Sequence, residues 1–370
     1  VDPRPLVTAV VAPGALADLR TAREVLQRAA AARGAGAELL APADGEGLRA
    51  AVARAAAAGE FLLLPADPAD LDATDLPLDG ARVLRVDPDH RPRDASAAVR
   101  RHLRGRGLDG LRFAVDAWWF RTASPASTHP YGADRDQRAD LRLPGGEPPP
   151  GGFPVAVLVH GGYWRSHWEA DLMEAAAADL TARGVATWNV EYRRPAEHGW
   201  DATTADVAAA LAALPGTGAP LDLRRVVLLG HSAGGQLAVR LAADVAADPA
   251  APVRPALTVS LAGVLDLLTA DRRRLGAGAV RAALGGAPEE LPRVYAASSP
   301  LARLPVGAPL AVVCGRQDDV DLLDLSRAFA AAAQRAGDDV VLVEGEGDHF
   351  SVVDPASAIW PSVVELVARV

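Results

Sequence analysis

The sequence contains no lysine, so all 38 of its basic residues are arginine, and it has one cysteine in 370 residues. The missing lysine, together with alanine runs such as 29–32 and 55–58, reads as coding bias and carries no functional weight. The single cysteine, Cys314, excludes an internal disulfide framework and a cysteine-based zinc site. It is expected as a small buried side chain closing a strand over 309–314. No apolar run approaches the roughly 18 residues that cross a bilayer, and the N-terminus lacks the charged-then-apolar pattern of a secretion signal. A cytoplasmic protein without a membrane partner is the expectation. With a formal net charge of −9 and no basic tract, the chain has no electrostatic footprint for nucleic acid. His90, His102, His129, His167 and His198 form no ligand pair at helical spacing, so neither a metal nor another cofactor is expected.

What is present is an alternation of element types. Strands over 6–11, 37–40, 61–64 and 82–86 are interleaved with helices over 15–32, 47–58 and 96–103. This predicts a small flavodoxin-like parallel α/β domain over residues 1–120. Between 122 and 153 the pattern is lost, and three prolines stand between glycine pairs over 144–152. A second domain, 121–370, opens with hairpin-like strands around 136–143. Strands over 155–159, 185–192, 225–230, 257–264, 310–314 and 340–343 then alternate with helices over 169–183, 203–214, 233–245, 321–336 and 357–368. Such a series implies a mostly parallel sheet flanked by helices, with its ligand at the carboxyl ends of the strands. The interruption over 269–304 is helical and turn-rich and is expected as a small cap at that edge.

The strongest local motif is Gly230-His231-Ser232-Ala233-Gly234-Gly235, placed between an apolar strand and a helix. It has the G-x-S-x-G form of a nucleophile elbow, in which flanking glycines allow the sharp turn that lifts a serine above the sheet edge. A serine hydroxyl is a weak nucleophile at neutral pH and needs a base, which in turn needs an orienting carboxylate. His349, in the polar loop Gly345-Glu346-Gly347-Asp348-His349-Phe350, is the candidate base. The loop Gly315-Arg316-Gln317-Asp318-Asp319 offers two adjacent carboxylates, with Asp318 as the candidate acid and Asp319 as the alternative. His160-Gly161-Gly162-Tyr163-Trp164 follows the 155–159 strand and is the candidate oxyanion loop, with the Gly162, Tyr163 and Ala233 amides as donors. Gly161, Trp164, Trp168 and Phe350 are candidate substrate contacts, His160 is expected to tie loops together, and His231 to pack.

At these residues the chain from about 131 to 370 resembles the esterase and lipase branch of the α/β hydrolases that carry a His-Gly-Gly loop. The continuation Tyr163-Trp164 is similar to the loop of kynurenine formamidase and its bacterial relatives, as are Tyr131-Gly132, Gln137-Arg138-Ala139-Asp140-Leu141, Tyr192-Arg193 and Ser298-Ser299-Pro300. The resemblance implies an α/β-hydrolase fold and hydrolysis of a carboxylic ester, aryl formamide or small amide. A biosynthetic hydrolase or acyltransferase would use the same acyl-enzyme, and a non-catalytic binding module would keep only the fold. The segment Arg104–Ala114 is similar to the closing part of type II dehydroquinases, but no tyrosine precedes Tyr131, and Pro65-Ala66-Asp67-Pro68 and Asp87-Pro88-Asp89-His90 stand where that family carries its catalytic stretches. This implies a degenerate, non-catalytic domain that retains an association surface, hence a homo-oligomer. Dehydroquinate dehydration is not expected.

Overall fold

The computed structural model describes residues 4–65, 83–89 and 101–370 and divides into two compact units, Val1–Ala123 and Ser124–Val370. In the first unit, strands β1 (Leu6–Val11), β2 (Gly36–Leu40), β3 (Phe61–Leu64), β4 (Val83–Asp87) and β5 (Arg101–Arg104) form a parallel sheet in the order β2-β1-β3-β4-β5. That order is the flavodoxin-like one. Because strand side chains alternate, Val7, Ala9 and Val11 pack with Leu26, Leu62, Leu111 and Trp118 on one face, while Val10 joins Val52, Phe61 and Leu63 on the other. The helices Leu19–Ala32 and Gly45–Ala58 begin where Asp18 and Asp44 accept the N–H groups of Thr21 and Gly47 at 2.9 and 2.8 Å.

Two features of this unit differ from the sequence expectation. The helix expected over 96–103 is, in its described part, strand β5, paired in register with β4 from Leu84–Arg101 to Asp87–Arg104; residues 96–100 lie outside the described residues. A strand of Arg, His, Leu and Arg carries no apolar alternation, yet all four residues are buried. Asp87 at the end of β4 accepts from Arg85 and His102, which lets charged side chains occupy this interior. A helix that periodicity did not suggest, Gly110–Ala123, buries Leu111, Ala114, Val115 and Trp118 on one face.

The second unit is an eight-stranded sheet of β6 (Ser127–Pro130), β7 (Arg138–Arg142), β8 (Phe153–Val159), β9 (Ala186–Val190), β10 (Leu221–His231), β11 (Leu257–Leu261), β12 (Leu310–Gly315) and β13 (Val340–Gly345). Its order is β13-β12-β11-β10-β8-β9-β7-β6, antiparallel only at β6–β7 and β7–β9. The central strands are apolar on both faces: Val155, Val157 and Val159 pack with Val226, Leu228 and Leu237, whereas Ala156 and Leu158 pack with Val227, Leu229 and Val259. The 269–304 stretch holds the helices Leu275–Leu284 and Pro292–Ser298. Parallel pairing sends the loops after β8, β10, β12 and β13 out at one edge, and these four loops carry every candidate catalytic residue. Among the described residues, no helix is long and apolar enough to cross a membrane.

Candidate active site

Strand β10 ends at His231 and the helix Ala233–Ala247 starts two residues later, so Ser232 alone turns the chain. It does so at φ 53°, ψ −118°, a conformation that L-residues enter only under strain. The turn closes because its neighbours lack side chains. A Cβ on Gly230 would lie 2.1 Å from the Gly234 carbonyl oxygen, and one on Gly234 would lie 2.1 Å from that of Val159.

The loop after β13 brings His349 to the loop after β12. His349 Nδ1 lies 3.0 Å from Asp318 Oδ2, and the Asp318 side chain is 1 % exposed. A carboxylate can only accept, so this contact places the ring proton on Nδ1 and leaves Nε2 as the basic nitrogen. The other oxygen, Asp318 Oδ1, accepts the Asp319 N–H at 2.6 Å. Asp319 caps the helix Val320–Ala336, accepting from the Asp321 N–H at 2.8 Å. Of the two adjacent aspartates, the structure thus pairs Asp318 with His349. His231 ties the His349 loop to the elbow, with its Nε2 3.0 Å from the His349 carbonyl oxygen and the two rings 4.8 Å apart. Burial, with the neighbouring His349 second, pushes the His231 imidazole down to about 3. The Ser232 hydroxyl makes no hydrogen bond among the described residues, so of the serine–histidine–aspartate series the structure closes the His349–Asp318 link.

The loop after β8 runs against the elbow. A Cβ on Gly161 would stand 2.8 Å from both the His231 carbonyl oxygen and Ser232 Cβ, and one on Gly162 would stand 2.3 Å from Trp168 Cβ. Gly162, Tyr163 and Trp164 all have positive φ, at 106°, 51° and 56°. The Gly162, Tyr163 and Ala233 amides carry no intramolecular hydrogen bond among the described residues.

Two buried networks hold this strained loop. Trp164 Nε1 donates to Gln236 Oε1 at 3.1 Å, its ring meets Trp200 edge to face at 5.7 Å, and Gln236 donates on to the Ser298 carbonyl at 2.8 Å. Trp164 is 2 % exposed and belongs to the core, and its indole anchors the loop after β8. Trp168 is half-buried over Gly162, and Phe350 is exposed beside His349, so both remain at the surface of the site. The second network centres on Glu191, at the end of β9 and 1 % exposed. It accepts from the Ala170 and Tyr192 N–H groups at 3.0 and 3.1 Å and from Arg194, with His160 Nε2 3.4 Å away. Burial raises the Glu191 carboxyl, but Arg194 and then His160 outweigh it and hold it well below the usual range. Arg194 also donates to the Trp168 carbonyl at 2.6 Å, and Tyr192 donates to the His160 carbonyl at 2.9 Å while stacking on its ring. His160 is fully buried, with Nδ1 2.7 Å from the Gly161 carbonyl oxygen, and burial followed by Arg194 lowers its pKa below the usual histidine range.

Sequence reasoning did not single out Glu191, Arg194 or Gln236. The one signal was position: Glu191 and Arg194 flank the Tyr192-Arg193 pair at a strand end, where a buried carboxylate demands a cation. No group of three or more His, Cys, Asp or Glu able to hold a metal occurs among the described residues.

Residues 140–332, more than half of the chain, match the BD-FAE family model. The chain belongs to the BD-FAE family. This is an esterase-type family of the α/β-hydrolase fold, in agreement with the branch that the His-Gly-Gly loop and the elbow resemble. The BD-FAE chain is similar in fold to the phosphonate-inhibited esterase B from Lactobacillus rhamnosis, at 18 % identity and TM-score 0.58, covering 69 % of this chain and 89 % of that one. It is likewise similar to esterase LipW from Mycobacterium marinum, at 24 % identity and TM-score 0.56 with 70 % and 85 % covered. A bacterial heroin esterase aligns at 21 % identity and TM-score 0.55, with 66 % and 82 % covered. Among curated proteins, none matches the chain.

Proposed function

We propose that this BD-FAE protein is a serine hydrolase that cleaves small carboxylic esters through an acyl-enzyme, with aryl formamides and small amides as further substrates of the same machinery. The observation that carries this reading is the 3.0 Å contact of His349 with Asp318 in a loop bonded to the residue preceding Ser232. In the proposed cycle Ser232 Oγ attacks the carbonyl carbon as His349 Nε2 takes its proton. The resulting oxyanion is held by the Gly162, Tyr163 and Ala233 amides, whose lack of other partners supports this role. Collapse expels the leaving alcohol or amine, protonated by His349, and leaves the acyl group on Ser232. His349 then activates water against the acyl carbonyl, while Asp318 holds the imidazole tautomer and supports its positive charge.

Trp168 and Phe350 flank the reacting groups, which favours an apolar or aromatic acyl or leaving group. The esterase names of the structural neighbours support ester cleavage. The test is a panel of p-nitrophenyl esters of increasing acyl length and N-formyl anilines, with Ser232→Ala as control. Hydrolysis of short esters that disappears in Ser232→Ala supports the reading, and turnover that survives in that variant defeats it. Formanilide cleavage at rates comparable with the esters would assign the formamidase side.

A further inference from the structure

We propose that His231 is a positioning residue whose Nε2–H donates to the main-chain carbonyl of His349 and so refers the base to the nucleophile elbow. The inference rests on the reading of Ser232 and His349 given above. The His349 loop has several ties to the loop that carries the acid: Asp318 to the His349 ring, the Gln317 N–H to the Gly347 carbonyl at 2.9 Å, and the Gly347 N–H to the Gln317 side chain. These set histidine against aspartate but say nothing about where serine lies. Between residues 345–350 and the elbow residues 230–235, the His231–His349 contact is the one hydrogen bond among the described residues. It joins positions 118 apart in sequence at 3.0 Å.

The chemistry of the contact fixes the state of the ring. A carbonyl oxygen can only accept, so Nε2 carries the proton and Nδ1 is a bare lone pair. That Nδ1 is buried without a hydrogen-bond partner and lies against Gly161, where a Cβ would stand 3.0 Å from it. A buried acceptor with no donor is unfavourable, and an apolar ring in the same space would remove it. What histidine supplies that phenylalanine cannot is the single N–H aimed at residue 349. The ring stays neutral in doing so, because burial and the adjacent His349 and His160 imidazoles disfavour its charged form. Of the charges near His349, Asp318 meets its imidazole at Nδ1.

The experiment compares wild-type protein with His231→Phe, which keeps the volume and loses the donor, and His231→Gln, whose side-chain amide can place an N–H near the same point. Each is assayed for p-nitrophenyl acetate hydrolysis, for the rate of fluorophosphonate labelling and for melting temperature. The expected result is a kcat about 10²-fold lower for His231→Phe with KM nearly unchanged, as for a base displaced by about an ångström, with most of the loss recovered in His231→Gln. A His231→Phe protein with wild-type kcat, or a glutamine variant no better than it, overturns the proposal. Nitrogen-15 NMR of the wild-type histidines supplies a check that needs no variant to fold. A neutral Nε2–H tautomer for His231 is expected, and an Nδ1–H tautomer overturns the proposal. Wild-type protein that neither turns over esters nor labels at Ser232 would defeat the hydrolase reading, which is a different outcome from either of these.

Discussion

Replacing Asp318 by asparagine tests the assigned acid in a way the local geometry makes sharp. Asp318 Oδ1 receives the Asp319 N–H at 2.6 Å, and Oδ2 faces His349 Nδ1 at 3.0 Å. An asparagine must keep an acceptor toward the Asp319 N–H, so its carbonyl oxygen takes the Oδ1 place and its NH2 group falls opposite Nδ1. That donor forces Nδ1 to accept, moves the ring proton to Nε2, and leaves His349 unable to take the proton of Ser232. The substitution is isosteric, and the loss is confined to the reacting state. A fall of about 10⁴ in kcat is expected, as for the wrong tautomer in a serine–histidine–aspartate triad. At 1.36 kcal/mol per decade this is a barrier increase of about 5 kcal/mol. KM and melting temperature should change little. The control is Asp319→Ala, which removes a helix cap worth about 1 kcal/mol and should lower the melting temperature while leaving kcat nearly intact. Steady-state hydrolysis of a p-nitrophenyl ester reads both. Asp318→Asn activity within about tenfold of wild type, or a larger loss in Asp319→Ala, would refute the reasoning.

Other consequences follow from the same contacts. Gly162→Ala puts a methyl 2.3 Å from Trp168 Cβ at a φ of 106°, so the loop proposed to hold the oxyanion must move. A kcat lower by about 10²–10³ at similar KM is expected from steady-state kinetics. His231, held down to about 3 when folded, takes up its proton in the unfolded chain near pH 6.5. Its contribution is therefore complete above pH 6.5 and is lost as the pH falls toward 3, amounting to about 2 kcal/mol by pH 5. Buried His160, whose pKa is also lowered, acts in the same direction. Denaturant melts at pH 7 and pH 5 should show this loss, and His231→Gln should lose less between the two. The association surface proposed for the N-terminal part is tested by light scattering coupled to size exclusion: a multimer is expected for the full chain and a monomer for a chain lacking residues 1–115, and an oligomer that survives the truncation contradicts it.

The parallel core was legible because strands buried on both faces read as unbroken apolar runs, as in Val155–Val159 and Val226–Leu229. The elbow was legible because its geometry is written in adjacent residues, with small ones wherever a Cβ would meet backbone. Strand β5 was not, because its four residues are all buried and its histidine pairs with Asp87 on the neighbouring strand, which no periodicity reveals. The Glu191 network escaped for a similar reason: its donors come from residues 160, 170, 192 and 194, and only the fold makes them neighbours. The burial of Trp164 was not legible, because an aromatic in a loop beside the candidate site serves equally well as wall or anchor. The choice between Asp318 and Asp319 turned on side-chain direction, which adjacent identical residues do not encode.

The central claim is that one hydroxyl, activated by His349 and Asp318, carries the acyl group. Its most direct test is peptide mapping after stoichiometric treatment with a fluorophosphonate, run on wild-type, Ser232→Ala and His349→Ala proteins. The account predicts a single adduct on Ser232 in the wild-type chain, none at that position in Ser232→Ala, and greatly slowed labelling in His349→Ala. Labelling of a different residue, or undiminished labelling of Ser232 without the imidazole, would contradict it.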